Sequence, residues 1–504
     1  MEGNRTPSNL KADDNKDRKS ALGRFPSLPP EPSVNPFLKD AYQFTPLELL
    51  KTILMLPLFL IRILILVVVF LVGYASVACA LIGVKDPLYK PFSTWRRALL
   101  WPTRFCARVA LFALGYYWIE VKGRPASREQ APIIVSNHIS FVDPVYVFYS
   151  HMPVIVSARE NLSLPIVGVF LRALQIIPVD RTSSTSRHNA GSQVRQRAID
   201  NRWPHIMLFP EGTTTNGKAL ISFKAGAFAP GLPVQPIVVQ YPHARVSPAW
   251  VDIALPNLLF RLMTQFVNFM KVEYLEVVEP TIRELSHPSE YAHRVRKLMA
   301  QALNVVCTEH TFVDVKLSMD AKKYGQPAEL SQVEFGIMEK LFHLNYETAH
   351  EYLARFSAMD ITHSGVLHID EFLQALGLPR TSYTEEVFHL FDKSDKGYIN
   401  FREFVAGLAF ISTHTAFADT VKAAFDACDA DADGLLSKSE VEKSIRAFFP
   451  ELPSFKVDSL FDALDMDHNG VISWQEFNDF LQRNPEYLLV TLSAYPDLLK
   501  LPNN

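Results

Sequence analysis

The 504-residue chain has few cysteines and almost no net charge. Its four cysteines (Cys79, Cys106, Cys307, Cys428) lie far apart and form no metal or redox spacing. A disulfide scaffold is excluded, and a reducing compartment is the simpler expectation. The net charge is −3, from 50 Lys+Arg and 53 Asp+Glu, so a polyanion-binding protein is disfavoured and no nucleic-acid partner is expected. No cleavable signal peptide is expected, because the first apolar stretch begins only near Ile53. What is plentiful is apolar material. A hydrophobic share of 48% is ample for cores and excludes wholesale disorder.

The small net charge conceals a division. Residues 351–504 hold 25 acidic and 12 basic side chains, whereas residues 1–350 hold 28 and 38. Halves of opposite sign imply two units with different partners.

Residues 1–45 are polar, then proline-rich, and read as a disordered tail. From Ile63 to Val84 there are 22 residues without a charge. At helical rise this is roughly 33 Å, enough to cross a hydrocarbon core. The apolar stretch before it, with Pro57 and Arg62, either extends this helix or forms a bent entry. Two cations precede the run within 20 residues and five follow it, which places the C-terminal side in the cytosol. Within Trp95–Ile119, Arg97, Arg104 and Arg108 fall on one helical face. That pattern predicts an interfacial helix with its basic face toward lipid phosphates, or else an ordinary amphipathic surface helix. Residues 46–120 are therefore assigned to a membrane anchor and this helix.

Short β-branched runs follow at Ile133–Val135, Val154–Val156, Ile176–Val179, Ile206–Phe209 and Ile237–Val239. Bounded by turn residues and separated by helical stretches, they predict an α/β domain over 121–330. Two loops in it carry chemistry. The first is Ser136-Asn137-His138-Ile139-Ser140-Phe141-Val142-Asp143-Pro144. Pro144 suits a first helical position, so Asp143 is expected as the N-cap, with His138 in the loop before it. If the loop brings them together, Asp143 orients the imidazole and His138 takes a proton from a hydroxyl. Alone, H-x4-D reads as a capped helix and a packed histidine, because chance matches are common. The second loop, Phe209-Pro210-Glu211-Gly212-Thr213-Thr214-Thr215-Asn216-Gly217, offers a turn with exposed N–H groups, suited to an anion, or a plain polar turn. Arg181 is a further candidate phosphate ligand.

Taken together, NHISFVD at 137–143, IIPVDR at 176–181, FPEGT at 209–213 and VQPI at 234–237 resemble the glycerolipid acyltransferase superfamily that includes the 1-acylglycerol-3-phosphate acyltransferases. The second block departs from the common pattern in carrying Pro178-Val179-Asp180 before its arginine. The resemblance implies that His138 and Asp143 are a catalytic dyad. It also implies that Arg181, Glu211, Gly212 and Thr213 bind the acceptor's phosphate. No cysteine or G-x-S-x-G is placed to form an acyl-enzyme, so direct transfer from a thioester to a hydroxyl is expected.

The acidic half contains a repeat. Twelve-residue windows begin at Asp360, Asp392, Asp429 and Asp465, each with glycine at position 6 and glutamate at position 12. These are EF-hand features, so an all-α EF-hand domain is assigned to 331–484, before a tail at 485–504. Loop three offers Asp429, Asp431, Asp433 and Glu440 with the Leu435 carbonyl. Loop four offers Asp465, Asp467, Asn469 and Glu476 with the Val471 carbonyl. Both are expected to bind Ca2+. Loop one has Thr362 and Ser364 at ligand positions and is expected to be weak. Loop two has Lys396 at position 5 and is expected to be metal-free.

An acyltransferase domain followed by EF-hands is similar to the lysophosphatidylcholine and lysophosphatidylethanolamine acyltransferases, most of all the plant type. LFPEGTTTNGKALISFKAGAF and VQPIVVQYPH carry that likeness. It implies an acyl-CoA-dependent lysophospholipid acyltransferase, with acyl-CoA, lysophospholipid, membrane lipid and calcium as partners. The expected location is the endoplasmic reticulum membrane, or alternatively Golgi or endosomal membrane, with both domains cytosolic. The competing readings are a lysophosphatidic acid or glycerol-3-phosphate acyltransferase, and an inactive membrane-tethered calcium sensor.

Overall fold

The structure, a computed structural model, describes residues 28–30, 34–39, 45–180, 184–243, 246–327, 332–413, 417–484 and 487. Arg181, and most of both expected tails, lie outside these residues. The chain forms two compact units, Pro32–Phe312 and Val313–Asn504 together with Met1–Glu31. The division falls before the boundary expected between 330 and 331. The reason is Asp314, a buried carboxylate that accepts hydrogen bonds from the backbone of Val333 and Phe335, while Leu317 and Ala321 join the second unit's core.

The first unit is built on a seven-stranded sheet. Its strands are β1 (Ile119–Lys122), β2 (Ile133–Ser136), β3 (Val154–Ala158), β4 (Ile177–Val179), β5 (Ile206–Leu208), β7 (Val234–Gln240) and β8 (Met270–Tyr274). A two-residue strand β6 (Ala219–Leu220) pairs outside it with β9 (Val306–Cys307). The sheet order is β1-β8-β7-β2-β5-β3-β4, parallel throughout except for the β7–β8 pair. Each expected apolar run falls on a strand; β1 and β8 complete the sheet without having been expected.

Successive residues of a strand face opposite sides of the sheet. Ile133 and Val135 therefore pack on one face with Val194, Tyr291 and Val295 of the covering helices. Ile134, between them, packs on the other with Leu111, Val142 and Val147. All nine side chains are at most 1% exposed, and each such burial contributes roughly 1.5–3 kcal/mol.

Helix α1 (Pro46–Leu81) is continuous through Pro57, with Thr45 capping its start. Among the described residues it is the one helix long and apolar enough to cross a membrane, and only 6% of its most apolar stretch is buried. Arg62, in its middle, is buried rather than marking an edge. It donates to the carbonyls of Met263 (2.6 Å), Gln265 (2.6 Å) and Phe266 (2.8 Å) and to the Tyr117 hydroxyl.

The expected interfacial segment forms the short helix Thr94–Ala98 and then α2 (Trp101–Ala113). Its basic face does not look outward. Arg104 donates to Tyr149 O (2.6 Å) and Ser150 O (2.9 Å), and Arg108 to Tyr117 O (2.9 Å). These guanidiniums satisfy carbonyls at the ends of neighbouring elements. The exposed face instead carries Trp101, Phe105 and Phe112.

In the second unit the four expected loops each lie between helices. Three-residue strands Val366–His368 and Tyr398–Asn400 pair antiparallel, as do Leu435–Ser437 and Val471–Ser473. The position-8 residues face one another in each ribbon, Leu367 with Ile399 and Leu436 with Ile472, all fully buried.

Candidate functional site

Strands β2 and β5 are parallel neighbours, with Val135 opposite Leu208. The loops that follow them leave the same edge of the sheet side by side. This brings His138 and Glu211 together across 73 residues, as expected at the carboxyl ends of strands in an open α/β sheet.

Asn137 holds the start of the first loop. Its side chain imitates a strand backbone, accepting from Val239 N (2.8 Å) and donating to Val239 O (2.9 Å). The chain then turns into α3 (Val142–His151). Asp143 is not the N-cap; that position is Phe141, and Asp143 lies inside the first turn. From there its carboxylate points back into the loop. Oδ2 accepts from Ile139 N (2.7 Å), Ser140 N (2.8 Å) and His138 Nδ1 (2.9 Å). Oδ1 accepts from the Tyr241 hydroxyl. Burial, then the charge of Asp143, hold the Tyr241 phenol well above its ordinary range, so it stays a donor.

A carboxylate can only accept, so His138 carries its hydrogen on Nδ1 and keeps Nε2 as the basic nitrogen. The imidazole is stacked on Phe209, with ring centroids 4.1 Å apart and planes inclined by 20°. Its side chain is 19% exposed while that of Asp143 is 0%. The arrangement is a solvent-reachable base backed by a dry carboxylate, competent to remove a proton from a hydroxyl.

Glu211 lies beneath this base. It is fully buried and its Oε1 accepts from His138 N (2.8 Å). Burial pushes its carboxyl up to about 8, and the N–H groups of His138 and Ile221 only partly oppose that shift. Such a group positions the histidine loop through its bond to the His138 backbone. Gly212 follows with φ +74°, a left-handed turn that favours glycine, and Gly212 N donates to Phe209 O (3.0 Å). Thr213 is half-buried beside it. Thr215 N donates to His138 O (2.9 Å) and Trp250 N to Ile139 O (2.9 Å), so two further loops lock the backbone of the histidine loop. Sequence reasoning missed Tyr241, Asn137 and Trp250 as parts of this cage. The VQYPH stretch gave the one available signal, a tyrosine just past a buried strand.

Loops three and four gather oxygen donors. One carboxylate oxygen each from Asp429, Asp431 and Asp433 lies within 4.8 Å of the others, and the same holds for Asp465, Asp467 and Glu476. Gly434 N donates to Asp429 Oδ2 (2.9 Å) and Gly470 N to Asp465 Oδ2 (2.8 Å), which sets the loop turns. Glu440 is held at the rim by Ser437 N (2.8 Å), Ser437 Oγ (2.6 Å) and Ala430 N (2.9 Å). The hydroxyl and backbone of Ser437 keep its carboxyl below the ordinary range. Asn469 donates to Asp467, and the Leu435 and Val471 carbonyls belong to the paired ribbon. This all-oxygen set fits a hard divalent cation. In loop two Lys396 turns toward the Tyr398 ring, 5.9 Å from its centroid. An acidic cluster there uses His389, Asp392 and Asp395. In loop one Glu371 bonds Thr362 N (3.2 Å) and Thr362 Oγ1 (3.0 Å).

Residues 118–240 match the acyltransferase family model, and residues 419–482 match that of an EF-hand domain pair. Lysophospholipid acyltransferase LPEAT2 of Arabidopsis thaliana is 39% identical over 92% of this chain and 86% of its own. Lysophosphatidylcholine acyltransferase 2 of Mus musculus is 32% identical over 95% and 89%. Lysophosphatidylcholine acyltransferase 1 of Homo sapiens is 31% identical over 92% and 88%. The chain is therefore an acyltransferase and belongs to the EF-hand-containing lysophospholipid acyltransferase family.

Proposed function

We propose that the protein re-acylates lysophospholipids, lysophosphatidylcholine or lysophosphatidylethanolamine, with acyl-CoA as donor. The observation that carries this reading is the 2.9 Å bond between His138 Nδ1 and Asp143 Oδ2, inside a cage that leaves the imidazole reachable. His138 Nε2 takes the proton of the acceptor hydroxyl as its oxygen attacks the thioester carbon. Asp143 stabilises the imidazolium that forms. The tetrahedral intermediate collapses with loss of the C–S bond, and the CoA thiolate leaves. Gly212 and Thr213 receive the acceptor phosphate, with Arg181 as its cationic partner. Orientation of this kind lowers a barrier by several kcal/mol in well-aligned systems.

Helix α1 anchors the enzyme in a membrane, that of the endoplasmic reticulum, with catalysis on the cytosolic face. Loops three and four bind calcium, through Asp429, Asp431, Asp433, Leu435 and Glu440, and through Asp465, Asp467, Asn469, Val471 and Glu476. The names of the relatives support the substrate class, and the donor chemistry of the two loops supports the metal.

The test is transfer of a labelled acyl group from acyl-CoA to a panel of lysolipids by the purified protein, with and without a calcium chelator. Transfer to lysophosphatidylcholine or lysophosphatidylethanolamine is expected. Transfer only to lysophosphatidic acid or glycerol-3-phosphate overturns the substrate assignment, and no transfer to any acceptor overturns the reading.

A further inference from the structure

Residues 34–39 lie in the expected N-terminal tail, ahead of α1, yet they are built into the first unit. Asn35 Oδ1 accepts from Phe37 N (2.8 Å), which folds the stretch into a tight turn around the buried Pro36. Phe37 meets His310 edge-on, with ring centroids 5.8 Å apart and planes inclined by 87°. One residue, Asn216, supplies three further bonds. Its backbone N donates to Pro36 O (2.8 Å), and its Nδ2 donates to Asn35 O (2.9 Å) and Leu38 O (3.1 Å). Asn216 is 7% exposed, so these bonds are largely shielded from water.

Asn216 stands near the end of the loop that carries Glu211, Gly212 and Thr213. Nothing in the proposed chemistry uses it. Both of its neighbours meet the histidine loop. Thr215 N donates to His138 O (2.9 Å). Gly217 (φ +76°) passes so close to Ile139 that a Cβ there would lie 2.7 Å from Ile139 Cδ1. Leu38 and Asn216 also line one cleft with Ala249 and Val251, which flank Trp250, the donor to Ile139 O. One peptide unit therefore separates the anchor of segment 35–38 from the bond that holds the His138 backbone.

We propose that Asn216 is a positioning residue for acyl transfer, clamping segment 35–38 onto the loop that carries the phosphate turn and so fixing that turn relative to His138. This rests on the reaction and the phosphate turn proposed above. A turn that drifts from the base presents the acceptor hydroxyl out of line, and small misplacements of this kind weaken productive binding.

A local role competes with this one. Asn216 Oδ1 accepts from Lys218 N (3.0 Å), a bond within its own loop. Asn216→Asp separates the two roles. A carboxylate retains the acceptor for Lys218 N but offers no donor to the Asn35 and Leu38 carbonyls.

The experiment compares the full-length parent with Asn216→Asp and with Phe37→Ala, which alters the segment alone. Lysophosphatidylcholine or lysophosphatidylethanolamine and acyl-CoA are varied in turn. KM for the lysolipid should rise about five- to tenfold in both variants, while KM for acyl-CoA stays within about twofold of the parent. A loss of folded enzyme lowers kcat and moves neither KM, so this split reports positioning. A parental lysolipid KM in Asn216→Asp, or equal rises in both KM values, overturns the proposal. Amide exchange gives a second reading that needs no catalysis. Peptides spanning 137–143 and 214–218 should exchange several-fold faster in both variants, and parental protection overturns the proposal. Absence of acyl transfer by the parent overturns the proposed reaction instead, and exchange then decides whether the clamp holds the histidine loop.

Discussion

The Tyr241 hydroxyl donates to Asp143 Oδ1, on the side of the carboxylate opposite His138. Both residues are buried, and they lie 98 positions apart in the chain. The base is thus braced from β7 as well as from its own loop. Removal of the hydroxyl in Tyr241→Phe leaves Asp143 Oδ1 without this donor. A hydrogen bond to a charged group contributes about 1.5–3 kcal/mol, so kcat should fall roughly 10- to 100-fold. KM for the lysolipid should stay within a factor of two or so of the parent, since the hydroxyl donates to Asp143 and not to the proposed phosphate turn. An unchanged kcat would show that the brace does not matter to catalysis.

His138→Ala should abolish acyl transfer while membrane association persists. Asp143→Asn is the subtler probe. An amide retains the shape but presents a donor as well as an acceptor to His138 Nδ1, favouring the wrong tautomer. A loss of about 10³-fold or more in kcat is expected, measured with saturating acyl-CoA. Substantial activity in either variant refutes the dyad.

Glu211 makes stability depend on pH. Burial pushes its folded-state carboxyl up to about 8, from an ordinary value of 4.5. A group raised in this way contributes stability that is full below the unfolded value and declines as pH rises toward the folded one. The contribution is thus complete below 4.5, shrinks across the window up to about 8, and is absent above it. Glu211→Gln retains an acceptor for His138 N and does not titrate. Thermal unfolding of the parent, set against that of the variant at several pH values, should show the parent losing ground through this window. Parallel curves would mean that Glu211 is ionised in the folded enzyme.

Glu440→Gln and Glu476→Gln should each weaken calcium binding strongly, whereas Glu403→Gln should do little. Titration calorimetry on the full protein distinguishes these, and four equivalent sites would overturn the ranking of the loops.

Arg62→Met should destabilise the first unit. The variant leaves the Met263, Gln265 and Phe266 carbonyls without their donor. Each buried polar group left unpaired costs about 1–3 kcal/mol, so the melting temperature in detergent should drop by several degrees. An unchanged melting temperature would mean that water replaces the guanidinium.

The parts of the molecule legible in the sequence are those fixed by local pattern. Runs such as Ile206–Leu208 gave the central strands, and position-specific glycines and glutamates gave the four loops. The edge partners β1 (Ile-Glu-Val-Lys) and β8 (Met-Lys-Val-Glu-Tyr) alternate with charges over four or five residues, too briefly to stand out from surface segments. The arginines of α2 misled because charge spacing identifies a face but not what the face meets. Carbonyls at the ends of neighbouring elements took those cations before any lipid could. Tyr241 and Glu211 were illegible as supports of His138 because only the strand order brings β7 and β5 on either side of β2.

The ribbon joining the last two loops has a consequence for titration behaviour. Leu435 is paired with Ser473 and Val471 with Ser437, so each loop's backbone ligand stands opposite the ninth position of its neighbour. An ion that draws in one of these carbonyls stiffens the strand against which the other is set. The pair should fill as a cooperative couple, with a Hill coefficient above one, and should empty the same way.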